Sequence, residues 1–509
     1  MTRITGISTW MCERLEESLL PVKGDLIKKV ACYAYQFFKF CLFFPLSIAT
    51  SLLSFAATRL FPKKPIDPPL VDFAKHPEWD KQPVNAAPVD IGFATADFQD
   101  NGPAQHPNSN WGAYYQKKEQ PLGQMPDVWN HPERVLDRLD ELGVKKFRFS
   151  ISRDQIEPEL GRPLNQVALQ HYRNFCRELR LRGIEPMATL HHFSDPLYFS
   201  WEKSEDIDGF VRYAEAVSEV LYEEGVRKII TINEPTVVAF QGKVMGEFPP
   251  HGKLDFEGAA CMLENMMRAH TRVYEKLKAR HPDFEIGLTH DPIRFRHFHK
   301  THPLFSPAEK LVCHYLTEIN HSALMRFLQT GKFSLKVPFR TNYAFEFPTK
   351  PPLDFIGLQY YTDPLLKFSL TNGESVTRNP GEKITSYQYR VYPQGMASIL
   401  EEFKTLGVPI DLTEIGIDIG INKDGGDQER IAYFDKVFQV VQKAIDHGTP
   451  IRSLYFWTLI DNLEWYKAWA VRFGFYSFDP ATGQIAPRPV SQWLQGRITA
   501  RNALAGVGE

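Results

Sequence analysis

The chain has 509 residues, 43% hydrophobic and 24% charged, with a formal net charge of −2 from 59 basic and 61 acidic side chains. That balance supplies ample apolar material for a large core and excludes the strong field that would recruit nucleic acid or another polyanion. The six cysteines (Cys12, Cys32, Cys41, Cys176, Cys261 and Cys313) form no CxxC pair and there is no HExxH, so reduced thiols, no metal site and no cofactor are expected.

Residues 1–86 differ in character from the rest. The stretch 40–58, FCLFFPLSIATSLLSFAAT, carries no charge. As a helix it would reach roughly 28 Å, close to the hydrocarbon thickness of a bilayer. It reads as a membrane-anchoring helix, although Pro45 and the diluting Ser and Thr also suit a buried or interfacial helix. Lys28, Lys29 and Lys39 precede it and Arg59, Lys63 and Lys64 follow, so the basic residues set no orientation. The expected location is membrane-associated, with the catalytic unit cytoplasmic. From Pro62 to Pro88 the chain is proline-rich and reads as an extended linker, which places the start of the catalytic unit at about residue 87.

Beyond it, short apolar runs alternate with longer amphipathic stretches. Eight strands are expected: Val89 to Ala94, Lys146 to Phe149, Glu185 to Leu190, Lys228 to Ile232, Glu285 to Thr289, Asp354 to Leu358, Pro409 to Thr413 and Ser453 to Trp457. Helical patterns such as ERVLDRLDELG and DGFVRYAEAVSEVLYEEG separate them and end in Gly. Eight βα units predict an α/β fold, a (β/α)8 TIM barrel over residues 87–509. A doubly wound open sheet is the structural alternative, but no GxGxxG or P-loop follows any strand.

In such a barrel the site is built at the C-terminal strand ends. Gln99 follows the first strand, Arg148 lies at the end of the second, His192 follows the third, and Asn233 and Glu234 follow the fourth. Tyr361 follows the sixth, Glu414 the seventh, and Trp457 ends the eighth with Glu464 and Trp465 beyond. The fifth contributes no candidate. Taken singly, any of these carboxylates reads equally as a solvated loop residue or a salt-bridge partner. As a pair across the barrel mouth, Glu234 and Glu414 have the chemistry of glycosidic cleavage, which needs one carboxyl to protonate the leaving oxygen and another to attack the sugar. Arg148 and Tyr361 are expected to hold Glu414 ionised. The negative charge of Glu414 should then raise the pKa of Glu234 and leave it protonated.

The same residues sit in strings that resemble the family 1 glycoside hydrolases, the β-glucosidase family, from about Ile91 to Trp493. TINEP at 231–235 resembles the acid/base motif and LTEIG at 412–416 the nucleophile motif. FATADFQ at 93–99, RFSIS at 148–152, TLHHF at 189–193, YFWTLIDNLEW at 455–465 and RFGFYSFD at 472–479 fit as well. The resemblance implies a retaining β-glycosidase of terminal glucose- or galactose-type sugars, with Glu234 as acid/base and Glu414 as nucleophile. It further implies that Gln99 binds the sugar, Asn233 meets its 2-hydroxyl, Trp457 lies under the ring, and Glu464 and Trp465 take the distal hydroxyls. A carboxylate at 464 suits an unphosphorylated hexose, because it repels a 6-phosphate. The chain departs from the pattern at Ile415 and Gln359, where the family has Asn, and at Arg153 and Phe193, where it often has Trp. The greasy N-terminus is similar to that of membrane-anchored relatives that move galactose between galactolipids. A glycolipid transglycosylase and a non-catalytic carbohydrate binder are therefore the alternatives, and the expected partner is a small glycoside or glycolipid.

Overall fold

A computed structural model describes residues 84–298, 306–338, 340–367, 376–378, 382–418, 426–504 and 506. The charge-free run at 40–58 lies outside them. No helix among the described residues is long and apolar enough to cross a membrane.

Eight parallel strands close into a barrel: β1 (Asp90–Ala94), β2 (Lys146–Ser150), β3 (Glu185–Thr189), β4 (Lys228–Ile230), β5 (Glu285–His290), β6 (Phe355–Tyr360), β7 (Ile410–Ile415) and β8 (Ile451–Trp457). Each pairs with its neighbours in sequence, and β8 returns to β1 with Phe93 opposite Phe456 and Ala94 opposite Trp457. The closure excludes an open doubly wound sheet. These are the eight expected runs, with ends shifted by at most two residues. They read as continuous apolar runs because both faces are covered, by the barrel interior and by the outer helices.

The helices named here that cover it are α1 (Glu133–Leu142), α2 (Gln166–Leu181), α3 (Ile207–Glu223), α4 (Phe256–Arg280), α5 (Ala323–Thr330), α6 (Gly395–Lys404), α7 (Gly426–Asp446) and α8 (Pro489–Leu504). In α1, Val135, Leu136, Leu139 and Leu142 recur at helical spacing and are buried, and Gly143 ends the helix at φ +69°, a conformation that glycine adopts without strain. Between β5 and β6 the chain inserts an antiparallel hairpin, Lys332–Val337 with Thr341–Glu346, which the βα rhythm gives no hint of.

The two mouths of the barrel are charged in different ways. Near the strand starts, opposite charges sit on neighbouring or nearby strands. Lys146 pairs with Glu185, Lys228 lies 3.4 Å from Glu185 and 3.7 Å from Asp411, and Arg452 reaches Asp411 at 2.6 Å and Glu285 at 2.5 Å. Carboxylates and cations are matched there. At the strand ends they are not.

Candidate active site

Glu414 is the penultimate residue of β7 rather than the first residue beyond it. A register shift against β6 falls between Leu412 and Glu414. Gly416 then lets the chain pass Trp457, since a Cβ there would sit 2.7 Å from the Trp457 carbonyl oxygen. Three side chains hold the carboxylate. The Arg148 guanidinium donates to Oε1 at 2.6 Å, the Gln359 amide donates to Oε1 at 2.6 Å, and the Tyr361 hydroxyl donates to Oε2 at 2.6 Å.

Those donors also fix Asn233. Its Oδ1 accepts from Arg148 at 2.6 Å, Gln359 at 2.8 Å and Thr289 at 2.9 Å. A guanidinium can only donate, so the amide oxygen must face it. The buried Nδ2 is left without a partner, as are Gln99 Oε1, His192 Nδ1 and Gln359 Oε1. An unpaired buried polar atom costs about 1–3 kcal/mol. Of the four atoms, only His192 Nδ1 belongs to a residue that lines the pocket.

Glu234 is held differently. It lies four residues past the end of β4, at φ +43°, where it begins the short helix Pro235–Phe240. Its backbone N–H donates to Thr289 Oγ1 at 2.9 Å, but its carboxyl has no side-chain hydrogen bond among the described residues. Phe193 and Trp465, also at the pocket, have positive φ of 65° and 35°. A non-glycine residue held in this region costs of order 1–3 kcal/mol, and such positions cluster at functional sites.

Seven of the sequence-predicted residues (His192, Glu234, Tyr361, Glu414, Trp457, Glu464 and Trp465) line one pocket. Arg148, Asn233 and Gln99 lie beneath it, each fully buried. Gln99 follows β1 and donates to Glu464 Oε2 at 2.9 Å, so the Gln expected to bind the sugar and the Glu expected at its distal hydroxyls form one hydrogen-bonded unit. Trp465 packs among Phe98, Trp111 and Phe193. Arg153, which stands where a Trp is usual, is not at the pocket. It is buried between Phe199 and Tyr213 and pairs with Glu157 at 2.9 Å. Phe193 does line the pocket.

Burial is the largest influence on both catalytic candidates. It pushes Glu234 well above the usual carboxyl range, and the charge of Glu414 adds to this. The expected contribution of Glu414 is present, but desolvation comes first. Glu414 is also pushed up by burial, but the charge of Arg148 and the bonds from Tyr361 and Arg148 oppose it. Of the two, Glu234 holds the proton. Burial keeps His192 well below the usual imidazole range, with the charge of Arg148 acting the same way, so it is neutral 4.0 Å from Glu414.

Several pocket residues escaped the sequence reading. Asp291 follows β5, the one strand for which no candidate was named, and Tyr387 and Tyr389 come from a long loop, while Phe473 lies in the RFGFYSFD string but was given no role there. Gln359 was noted only as a departure, yet it bridges Asn233 and Glu414.

A closed parallel barrel carrying two buried carboxyls, one cradled by three donors and one bare, defines a glycosidase-type active site. The profile of Glycosyl hydrolase family 1 matches residues 91–502, and the chain belongs to that family. It is 26% identical to the 6-phospho-beta-galactosidase of Clostridium acetobutylicum, over 80% of this chain and 95% of the relative. Identity to Beta-glucosidase A of Thermotoga maritima is 28%, over 73% and 86%. Among solved structures, a beta-glycosidase from Pyrococcus horikoshii superimposes with a TM-score of 0.70 at 25% identity, covering 82% of this chain and 95% of that one. A Thermotoga maritima beta-glucosidase in complex with deoxynojirimycin gives 0.69 at 25%, covering 81% and 98%.

Proposed function

We propose that the chain hydrolyses terminal β-linked glucose- or galactose-type sugars with retention, Glu234 being the acid/base and Glu414 the nucleophile. The asymmetry between the two carboxyls carries the assignment. The cradled Glu414 is the better anion and the bare, desolvated Glu234 the better acid. In the first step Glu234 gives its proton to the glycosidic oxygen as the bond to C1 breaks, and a Glu414 oxygen bonds to C1. Oε2, which accepts a single hydrogen bond, is the less encumbered of the two. In the second step Glu234, now ionised, takes a proton from water as that water displaces Glu414.

The relative named as a 6-phospho-beta-galactosidase raises the question of a phosphorylated sugar. Here Glu464 occupies the distal end, pushed up to about 8 by burial, and no Lys or Arg lines the pocket among the described residues. A phosphate dianion would meet a carboxyl and no cation, which favours the unphosphorylated hexose.

The charge-free run at 40–58 supports a further proposal, that the chain is held at a membrane and acts on glycosides or glycolipids there. The test is product analysis on aryl β-glucosides, aryl β-galactosides and glycolipids, with and without residues 1–86. NMR should show the β-anomer of the sugar forming first, and the truncated chain should keep its activity while leaving the membrane fraction. An α-anomer formed first would overturn retention. New glycosidic bonds to lipid-linked sugars would favour the transglycosylase. Binding without turnover would favour the carbohydrate-binding alternative.

Tyr361→Phe tests the cradle. The hydroxyl bond favours the ionised form of Glu414, and without it Glu414 keeps its proton to higher pH. The acid limb of the kcat/KM profile should therefore move to higher pH, with a loss at the optimum of roughly tenfold. An unmoved acid limb would show that the limb does not report Glu414.

A further inference from the structure

The described lining of the pocket contains four carboxyl groups. Glu234, Glu414 and Glu464 have roles above, and the fourth, Asp291, has none. Asp291 is 7% exposed, yet its carboxyl takes part in no hydrogen bond or ion pair with the described residues. A buried, unpartnered carboxyl opening into a pocket is unfavourable unless it has something to bind.

Its place in the barrel says where that would be. Around the ring, β5 lies opposite β1, the strand that leads to Gln99. Gln99 and Glu464 form the sugar end on the β1 and β8 side, while Asp291 follows β5, the neighbour of the β4 strand that carries Glu234. Asp291 therefore stands beyond the acid, on the side where the leaving group departs. Besides Glu234, the other lining residues from the segments that follow β4 and β5 are Val237, Gln241, Phe248 and Ile293, of which three are apolar. Gln241 also has a buried amide oxygen without a partner. An apolar wall with one free carboxyl at its inner rim discriminates by hydrogen bonding, not by shape alone.

We propose that Asp291 is a specificity-determining residue for the leaving group, and selects leaving groups that present a hydrogen-bond donor, a hydroxyl or an ammonium, close to the scissile oxygen. This rests on Glu234 being the acid. Burial, with the charge of Glu414, pushes the Asp291 carboxyl up to about 8, so near neutrality it can both donate to and accept from a hydroxyl. An ammonium would draw it to the carboxylate, because opposite charges at contact in a desolvated site favour ionisation of both.

The experiment measures kcat/KM for ethyl, 2-hydroxyethyl and 2-aminoethyl β-glucosides, and for the matching galactosides, with the full chain and with its Asp291→Asn and Asp291→Ala variants. Comparing one substrate between proteins cancels the intrinsic reactivity of its leaving group. Asp291→Ala should lower kcat/KM for the hydroxyethyl and aminoethyl glycosides about tenfold more than for the ethyl glycoside. Asp291→Asn should keep part of the hydroxyl preference and lose the ammonium preference, which separates the two donors. Thermal unfolding of both variants checks the fold, and if the alanine variant fails to fold, the near-isosteric asparagine variant decides on the ammonium arm. A uniform loss across the three leaving groups, or no change in any, would overturn the proposal while leaving Glu234 as acid. If the native chain cleaves none of these glycosides nor their aryl counterparts, the catalytic reading itself falls and this one with it.

Discussion

Glu414→Ala is expected to abolish turnover of aryl β-glycosides, by several orders of magnitude, the scale that follows loss of a covalent nucleophile. The cause is specific. Arg148, Gln359 and Tyr361 all donate to this carboxylate, and no other described pocket carboxyl is held by three donors. With alanine at 414 the cradle has space where the carboxylate stood, and a small anion can enter it. Added azide should restore turnover and give the α-glycosyl azide, because attack comes from the face that Glu414 occupied and the product is not displaced a second time. Recovery of a β-azide would assign the nucleophile elsewhere. Unchanged turnover would remove Glu414 from the chemistry altogether.

For Glu234→Ala the size of the effect should depend on the leaving group. Dinitrophenolate departs without protonation, so the glycosylation step for a dinitrophenyl glycoside should remain nearly intact while deglycosylation slows for want of a base. An alkyl glycoside needs the proton, and its glycosylation should fall by roughly 10²- to 10⁴-fold, the usual contribution of a positioned acid or base. Pre-steady-state release of dinitrophenolate should therefore appear as a burst followed by a slow phase. The physical origin is the desolvation of Glu234, which keeps it protonated where a solvated glutamate would be ionised. Equal losses of glycosylation for both substrates would remove the proton-donor role and leave Glu234 as a binding residue.

The chemistry of the strand ends was legible in the sequence because it depends on order along the chain. Apolar runs alternating with amphipathic stretches specify βα units, eight of them close, and closure places every strand end at one mouth. Glu234 and Glu414 follow from that alone as facing carboxyls, and their motifs add the family. What the sequence could not determine depends on approach between segments far apart in the chain. Gln359 reads as a departure in the string, but its longer side chain spans from β6 to both Asn233 and Glu414. Arg153 reads as a changed pocket wall, whereas the helix that carries it turns the guanidinium away into a cage of aromatic rings. Asp291 carries no motif, and only the packing of the loops after β5 and β6 makes it a wall of the pocket. The order of the two pKa values was legible in the sequence, because the hydrogen bonds expected from Arg148 and Tyr361 oppose the rise at Glu414 alone; the size of the burial effect, which pushes both carboxyls up, was not, since burial is a property of the packed chain rather than of the residue.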